Sequence, residues 1–243
     1  MSSSRLRTAL ALIALAAPLA AQGAAPPPPP KDAATGGGVA AYEATIVAAQ
    51  LPSYPMNTCI ACSKPWGPEH QPVDIVRKGR LVRVGAGCVK AFDAQEAKWF
   101  KVLDDLIQAE QVASYPLTHC PVTNEELGNK PKYTIVGTRL IEVCCNDCKK
   151  ELAQNPATAA AAIAKIDEAL VAAQAKSYPL TTCVVDDKPL ADSKVQKLYG
   201  VTLVRFCSDA CQAKFLEAPR DYLPKLEAAR KGQPASKPAE AGR

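Results

Sequence analysis

Three stretches of the chain carry short runs of β-branched and other apolar residues on both sides of a glycine. They read "VDIVRKGRLVRV", "YTIVGTRLIEV" and "KLYGVTLVRF". Such runs are typical of β-strands, and glycine accepts the left-handed backbone that a tight turn between two strands requires. The pattern therefore predicts three β-hairpins, which turn near Gly79, Gly137 and Gly200.

Apolar residues at helical spacing and good helix formers precede each hairpin region, in "AYEATIVAAQ", "AKWFKVLDDLIQAEQ" and "TAAAAIAKIDEALVAAQ". Each predicted helix ends at nearly the same phrase, "SYPMNTC", "SYPLTHC" or "SYPLTTC", because proline restricts the residue before it to extended geometry. The phrases lie about 60 residues apart, which predicts a module that occurs three times. A glutamine stands four positions before each tyrosine: Gln50, Gln111 and Gln174.

A short helix is predicted after the hairpin. In the third module Ser208 stands where an N-cap belongs, and in the second module Asn146 or Asp147 could cap the helix. Breaks are predicted at Pro156 and Pro219. Because a module of about 60 residues buries only a modest core, it often needs a metal, a disulfide or a neighbour to stabilise it.

The two ends of the chain differ from the repeats. Residues 1–25 resemble a removable signal peptide, since Arg5 and Arg7 precede an apolar stretch too short to span a bilayer; an uncleaved anchor is the alternative. Residues 26–42 are predicted to be a Pro/Gly-rich linker and residues 232–243 a disordered tail. We therefore expect an exported protein, periplasmic or extracellular, with no membrane contact after signal cleavage. The three modules are assigned to residues 43–112, 113–176 and 177–231.

Charge and motifs exclude several functions. The formal charge is +5, and loss of Arg5 and Arg7 leaves 5 − 2 = +3, too small and dispersed for a nucleic-acid-binding surface. The sequence contains no GxSxG, HExxH, P-loop or GxGxxG motif, and two histidines supply little acid–base capacity. We therefore predict that the protein is not an enzyme.

Ten cysteines carry the candidate chemistry. In the second and third modules the first cysteine is followed 24 positions later by a second and four positions after that by a third. The dipole of a helix N-terminus favours the thiolate form of the two cysteines that lie there. Three thiolates suit Cu(I), whereas Zn(II) prefers a fourth ligand. His70, His119, Asp186 and Asp187 are candidates for that fourth ligand. The predicted ligand sets are Cys120, Cys144 and Cys148, and Cys183, Cys207 and Cys211.

The first module departs from this spacing. Alignment of Cys88 with Cys211 puts Val84 where a cysteine is expected, while Cys62 is an additional cysteine three positions after Cys59. Two interpretations remain open: Cys59, Cys62 and Cys88 form a third site, or the module is degenerate and kept for packing.

The stretch "YPLTTCVVDDKPL…LYGVTLVRFCSDACQAKFLEAPRDYL" resembles the YHS and TRASH-like heavy-metal-binding domains. The resemblance is best over residues 178–223, weaker over 115–156 and loose over 54–92, and the Tyr-His-Ser triplet itself is absent. It implies an α+β chain of three tandem treble-clef-like modules, each a β-hairpin plus a short helix, joined by longer α-helices. It also implies soft-metal ligation by the three cysteines of a module, with a metal transporter or efflux component as a candidate partner.

The predicted function is soft-metal binding, of Cu(I) or Zn(II), in sequestration, delivery or resistance. One alternative is a disulfide-stabilised interaction protein, although three cysteines in a module leave one unpaired. A second is thiol–disulfide chemistry at the CxxC of Cys145 and Cys148. Cys145 occupies the place of Ser208, and the module lacks a surrounding βαβ pattern, so we interpret this CxxC as incidental.

Overall fold

The computed structural model describes residues 36–190 and 193–232, where helices combine with three two-stranded antiparallel sheets, so the α+β prediction is confirmed. The predicted signal peptide lies outside the described residues, as does nearly all of the predicted tail. The first module contains α1 (Gly36–Gln50), β1 (Pro72–Arg77), β2 (Arg80–Gly85), α2 (Val89–Ala94) and α3 (Glu96–Gln111). The second contains β3 (Lys132–Val136), β4 (Arg139–Val143), α4 (Asn146–Gln154) and α5 (Pro156–Ala175). The third contains β5 (Gln196–Tyr199), β6 (Thr202–Arg205), α6 (Asp209–Glu217) and α7 (Pro219–Lys231).

The three predicted hairpins are confirmed. Each pair of strands is joined by two residues, and Gly79, Gly137 and Gly200 have φ of 70°, 61° and 62° in these turns. In the first hairpin Lys78 also has a positive φ, so its glycine is the second turn residue, whereas the other two hairpins place glycine first. The first turn is thus of a different type, which alters how the three modules align.

Two predicted boundaries need correction. Residues 36–42, assigned to the linker, form the start of α1, because packing of this helix on the β1–β2 hairpin overrides the low helix propensity of glycine. The N-cap of α4 is Cys145 rather than Asn146 or Asp147. The predicted cap at Ser208 is confirmed, with its Oγ accepting from the Cys211 amide at 3.3 Å.

The predicted helix breaks are confirmed. Pro156 and Pro219 are the first residues of α5 and α7, a position where the missing proline N–H is not needed. Asn155 caps α5 by accepting hydrogen bonds from the amides of Ala157 and Thr158. Serine and proline of the repeated phrase likewise follow helices α1, α3 and α5.

The three repeated glutamines clamp the hairpins. Each reaches from the end of a helix to the hairpin that follows it, where its amide oxygen accepts from one backbone N–H and its nitrogen donates to the carbonyl two residues earlier. We call these pairs of hydrogen bonds the glutamine clamps. Gln50 binds Leu81 N and Gly79 O, Gln111 binds Leu140 N and Thr138 O, and Gln174 binds Leu203 N and Val201 O.

The modules pack against one another through their hairpin turns. Arg80 donates to the carbonyl of Gly137 at 3.0 Å, and Arg139 donates to the carbonyl of Gly200 at 2.8 Å. The Gly200 amide in turn donates to the carbonyl of Pro52 at 2.6 Å, which joins the third module to the first. The core is also shared, because Leu103 and Ile107 of α3 cluster with Leu140 of β4. The clusters of cysteines are therefore held in one packed body.

Candidate metal centres

All nine predicted ligands come together in three clusters, one for each module, in which the candidate donor atoms lie within 4.8 Å of one another. Two Sγ atoms bound to one zinc ion at about 2.3 Å in tetrahedral geometry would be about 3.8 Å apart. The Sγ separations of 3.7 Å for Cys144 and Cys148, and of 3.5 Å for Cys207 and Cys211, fit such an ion. The clusters are Cys59, Cys62, Cys88 and His70 (site 1), Cys120, Cys144 and Cys148 (site 2), and Cys183, Cys207, Cys211 and Asp186 (site 3).

A tight loop presents the first cysteine of each site. In site 2 the Cys120 amide donates to Glu125 O at 2.7 Å, and its carbonyl accepts from the Asn124 amide at 2.8 Å. Asn124 has a φ of 64°, a left-handed conformation that Asn and Asp tolerate better than most residues. Equivalent bonds form in the other modules, with Ser63 and Asp187 at the left-handed position. A serine, asparagine or aspartate four positions after the cysteine is the sequence signal that could have predicted this loop.

The other two ligands of sites 2 and 3 come from the strand-to-helix junction. Cys144 directly follows β4, and Cys148 lies in the first turn of α4. In the third module Cys207 follows β6 after one intervening residue, and Cys211 lies in the first turn of α6. The hairpin therefore sets the distance between the loop that carries the first thiol and the helix that carries the last.

The structure corrects the alignment of the first module. Leu81, Leu140 and Leu203 donate the equivalent clamp hydrogen bond in their own modules, so they occupy equivalent positions. Four residues after each of them lie Gly85, Cys144 and Cys207, so the residue equivalent to the two cysteines is Gly85, not Val84. A 3₁₀ turn over Ala86–Cys88 then separates Gly85 from α2 and brings Cys88 into the site one position earlier than its counterparts.

His70 occupies the space beside Gly85. A Cβ atom built on Gly85 would lie 2.8 Å from Nε2 and 2.9 Å from Nδ1 of His70, which is closer than van der Waals contact allows. The ring stacks on Trp66 with its centroid at 5.5 Å, and its Nε2 lies 3.5 Å from Cys62 Sγ. An imidazole thus stands where the other modules carry a thiol. Sequence spacing does not reveal this, because the ligand comes from a different loop.

The residue three positions after the first cysteine also faces each site. It is Cys62 in site 1, Thr123 in site 2 and Asp186 in site 3. Thr123 Oγ1 lies 3.4 Å from Cys144 Sγ, and the two carboxylate oxygens of Asp186 lie 3.3 and 3.5 Å from Cys207 Sγ. The three sites therefore share the same loop, hairpin and helix but differ in their fourth donor.

Two of the candidate fourth ligands lie outside the clusters. The Nδ1 atom of His119 is paired with Thr118 Oγ1 at 2.9 Å, and His119 does not join the cysteines of site 2. Asp187 instead forms an ion pair with Lys225. His70 and Asp186, by contrast, are both cluster members.

The first thiols of sites 1 and 2 are the acidic ones. Burial acts to raise the pKa of Cys59, but hydrogen bonds from the Gly85 amide and from His70 outweigh it and lower the pKa to about 6. Burial likewise opposes a low pKa at Cys120, where the amides of Thr123 and Cys144 lower it to about 6. Each of these two thiols is therefore a thiolate at neutral pH.

The remaining shifted ligand thiols hold their protons. Burial and the neighbouring Cys62 raise the pKa of Cys88 to about 11, and burial with Cys211 raises that of Cys207 to about 12. Burial also raises the pKa of Cys148. A bound cation would have to displace these protons.

The pKa values of two other groups at these sites, Cys144 and Asp186, are shifted as well. At Cys144 the hydrogen bond with Thr123 acts to lower the pKa, but Glu125 and burial raise it overall. The hydrogen bond from Lys188 holds the pKa of Asp186 well below its usual range, so this carboxylate is a charged donor.

Of the ten cysteines, Cys145 is the one that lies outside the three clusters. Its Sγ is 3.4 Å from Cys148 Sγ, so the two atoms are in contact but not bonded. Hydrogen bonds with the backbone and side chain of Cys148 lower the pKa of Cys145.

Along residues 36–190 and 193–232, none of the helices has both the length and the apolar character needed to cross a bilayer. No protein-family model matches the chain, and no curated protein or solved structure matches it either.

Proposed function

We propose that the protein binds soft metal ions through sites 1, 2 and 3 and serves in their sequestration, delivery or resistance. The convergence of three cysteine-rich clusters, with donor atoms within 4.8 Å of one another, is the observation that carries the proposal. Thiolate-rich donor sets select Cu(I) and Zn(II) over harder cations. A bound ion would also cross-link loop, hairpin and helix, which small modules with modest cores need.

The resemblance to YHS and TRASH-like domains supports the same function. The resemblance implies a loop, a hairpin and a short helix in that order, and each module has these elements in that order. In the second and third modules the clustered cysteines are the ones that the resemblance implies as ligands. With the signal-like residues 1–25, the proposal places metal binding in the periplasm or outside the cell, with a metal transporter or efflux component as partner.

The direct test is metal stoichiometry of the full chain, reduced and handled without oxygen. We expect three equivalents of Zn(II) or Cu(I), and two for the Cys211→Ser variant, because site 3 loses a ligand. Cys145→Ser is the matched control and should retain three equivalents, since Cys145 lies outside the clusters. Complete oxidation of the thiols in native protein, with no metal uptake after mild reduction, would reject the proposal in favour of a disulfide-stabilised interaction protein.

A second candidate function is thiol–disulfide exchange, favoured by the 3.4 Å contact between Cys145 and Cys148. In that reaction both thiols are oxidised to a disulfide while a disulfide substrate is reduced to two thiols. Exchange activity that disappears in Cys145→Ser while metal stoichiometry is unchanged would establish this function beside the first. Equal exchange by Cys145→Ser and the unaltered chain would exclude it.

A further inference from the structure

We infer that the chain carries two kinds of metal site: site 1 selects Zn(II) through His70, which replaces a thiol above Gly85, and site 2 selects Cu(I) through three thiols. The inference rests on the proposed function and concerns which ion each site takes.

Site 1 has the composition of a closed zinc site. Cys59, Cys62, Cys88 and His70 supply three sulfurs and one imidazole nitrogen within 4.8 Å of one another. Structural zinc sites are almost always tetrahedral, and three cysteines with one histidine are a common set. The first module therefore holds a full zinc ligand set despite its broken cysteine spacing.

The imidazole is held in place before any ion binds. The amide of His70 donates to Gly67 O at 3.0 Å, and its carbonyl accepts from the Gly67 amide at 3.3 Å, which closes a tight turn. Trp66 covers one face of the ring, and the absent side chain of Gly85 leaves room for it. Three local features thus fix the ring against the cysteines, and a surface histidine with no role in the site would need none of them.

Site 2 provides three thiols, and among the described residues no fourth strong donor lies within 4.8 Å of all three; the Cys145 thiol contacts Cys148 but is not a member of the cluster. Thr123 takes the place of Cys62, and a neutral hydroxyl is a poor ligand for Zn(II) compared with thiolate or imidazole. Three sulfurs, in contrast, satisfy Cu(I), which is soft. Site 3 lies between the two types, because Asp186 adds a carboxylate within reach of Cys207.

Gly85 provides a test that removes no ligand. Gly85 has φ −67° and ψ 148°, an extended conformation that alanine adopts readily, so Gly85→Ala adds only a methyl group that collides with the ring of His70. Gly87→Ala is the matched control, because a Cβ there would meet nothing within 4 Å. Both changes would be made in the full chain carrying Cys148→Ser and Cys211→Ser, which leaves site 1 intact.

The measurements are Zn(II) and Cu(I) affinities by competition with chelators, and the absorption spectrum of the Co(II)-substituted protein. In Gly85→Ala we expect Zn(II) affinity to fall by about 100-fold, the upper range for substitutions around a metal ligand, and the Co(II) spectrum to lose its nitrogen donor. Gly87→Ala should change Zn(II) affinity by less than about threefold, and Cu(I) affinity should change little in either variant because the thiols remain. Equal Zn(II) affinities for the two variants would overturn the inference.

Two further variants separate ligand loss from misfolding. His70→Ala combined with Gly85→Ala removes the collision, so it should recover stability while Zn(II) binding stays weak. His70→Ala combined with Gly85→Cys should regain most Zn(II) affinity and give an all-sulfur Co(II) spectrum, because it recreates the thiol of Cys144. Recovery of full Zn(II) affinity by the double alanine variant would contradict a ligand role for His70.

Site 2 is tested in the full chain carrying Cys88→Ser and Cys211→Ser. We expect it to prefer Cu(I) over Zn(II) by a ratio at least about 100-fold larger than that of site 1, given the different donor sets. Equal ratios at the two sites would overturn the inference and leave the proposed function standing, whereas absence of metal at every site of the unaltered chain would overturn both.

Discussion

Replacement of Gln111 by leucine should destabilise the second module although the two side chains are similar in size, because leucine cannot form the hydrogen bonds of the clamp. Gln111 is 3% exposed and accepts from Leu140 N at 2.9 Å while donating to Thr138 O at 2.8 Å. Thr138 and Leu140 are each 1% exposed, so water cannot replace the lost partners. An orphaned buried polar group costs about 1–3 kcal/mol, and two of them predict a loss of about 2–6 kcal/mol in the free energy of unfolding.

The assay is urea denaturation of the reduced, metal-free chain, followed by circular dichroism. Gln154→Leu is the control, because this exposed residue ends α4, and it should change the unfolding free energy by less than about 0.5 kcal/mol. Gln174→Leu should cost less than Gln111→Leu, because the Val201 carbonyl that it leaves is only half-buried and open to water, so the Leu203 amide, 0% exposed, is the one fully buried group left without its clamp partner. Hydrogen exchange gives a second readout: the Leu140 amide should lose protection in Gln111→Leu.

A loss below about 1 kcal/mol in Gln111→Leu, with the Leu140 amide still protected, would refute this reasoning. It would mean that the clamp is replaced by another partner or is not formed in solution.

Three other outcomes are expected. Asp167→Ala should cost about 3–5 kcal/mol in urea denaturation because it removes the ion-pair partner of the buried Arg139, and the Arg139→Met/Asp167→Leu variant should recover most of this loss. At site 2, Cys120 is already ionised above its pKa of about 6 while the other two thiols have raised pKa values, so metal binding releases two protons. Apparent affinity, measured by chelator competition, should therefore rise about 100-fold from pH 7 to pH 8, and a tenfold rise would indicate one proton. Cys145→Ser should stabilise the metal-free chain by about 0.5–1 kcal/mol in thermal unfolding, since a serine at the N-cap position caps a helix better than a cysteine does; a loss of stability would contradict this.

Sequence spacing was sufficient where chemistry and periodicity coincide. Cys120, Cys144 and Cys148 are separated by the same intervals as Cys183, Cys207 and Cys211. These intervals predicted two clusters, because ligands held by the same arrangement of loop, hairpin and helix recur at the same spacing. The hairpins were predictable for a similar reason, since glycine marks each turn. The sequence marked His70 only as one of four candidate fourth ligands. Its place in site 1 could not be singled out, because it depends on the space left by the missing side chain of Gly85. The helical start at Gly36 could not be predicted from propensity, because glycine has a low helix propensity.

The clamps have a consequence for how the chain can vary. In the hairpins, the side-chain amides of Gln50, Gln111 and Gln174 form their clamp hydrogen bonds only with backbone atoms, so these bonds do not depend on which side chains the hairpin carries. A new side chain at the end of the hairpin, or in the loop before it, therefore leaves the clamp bonds intact. Metal preference can change by single substitutions while the architecture is inherited unaltered, and three copies in one chain allow one site to diverge while the others keep their ligands.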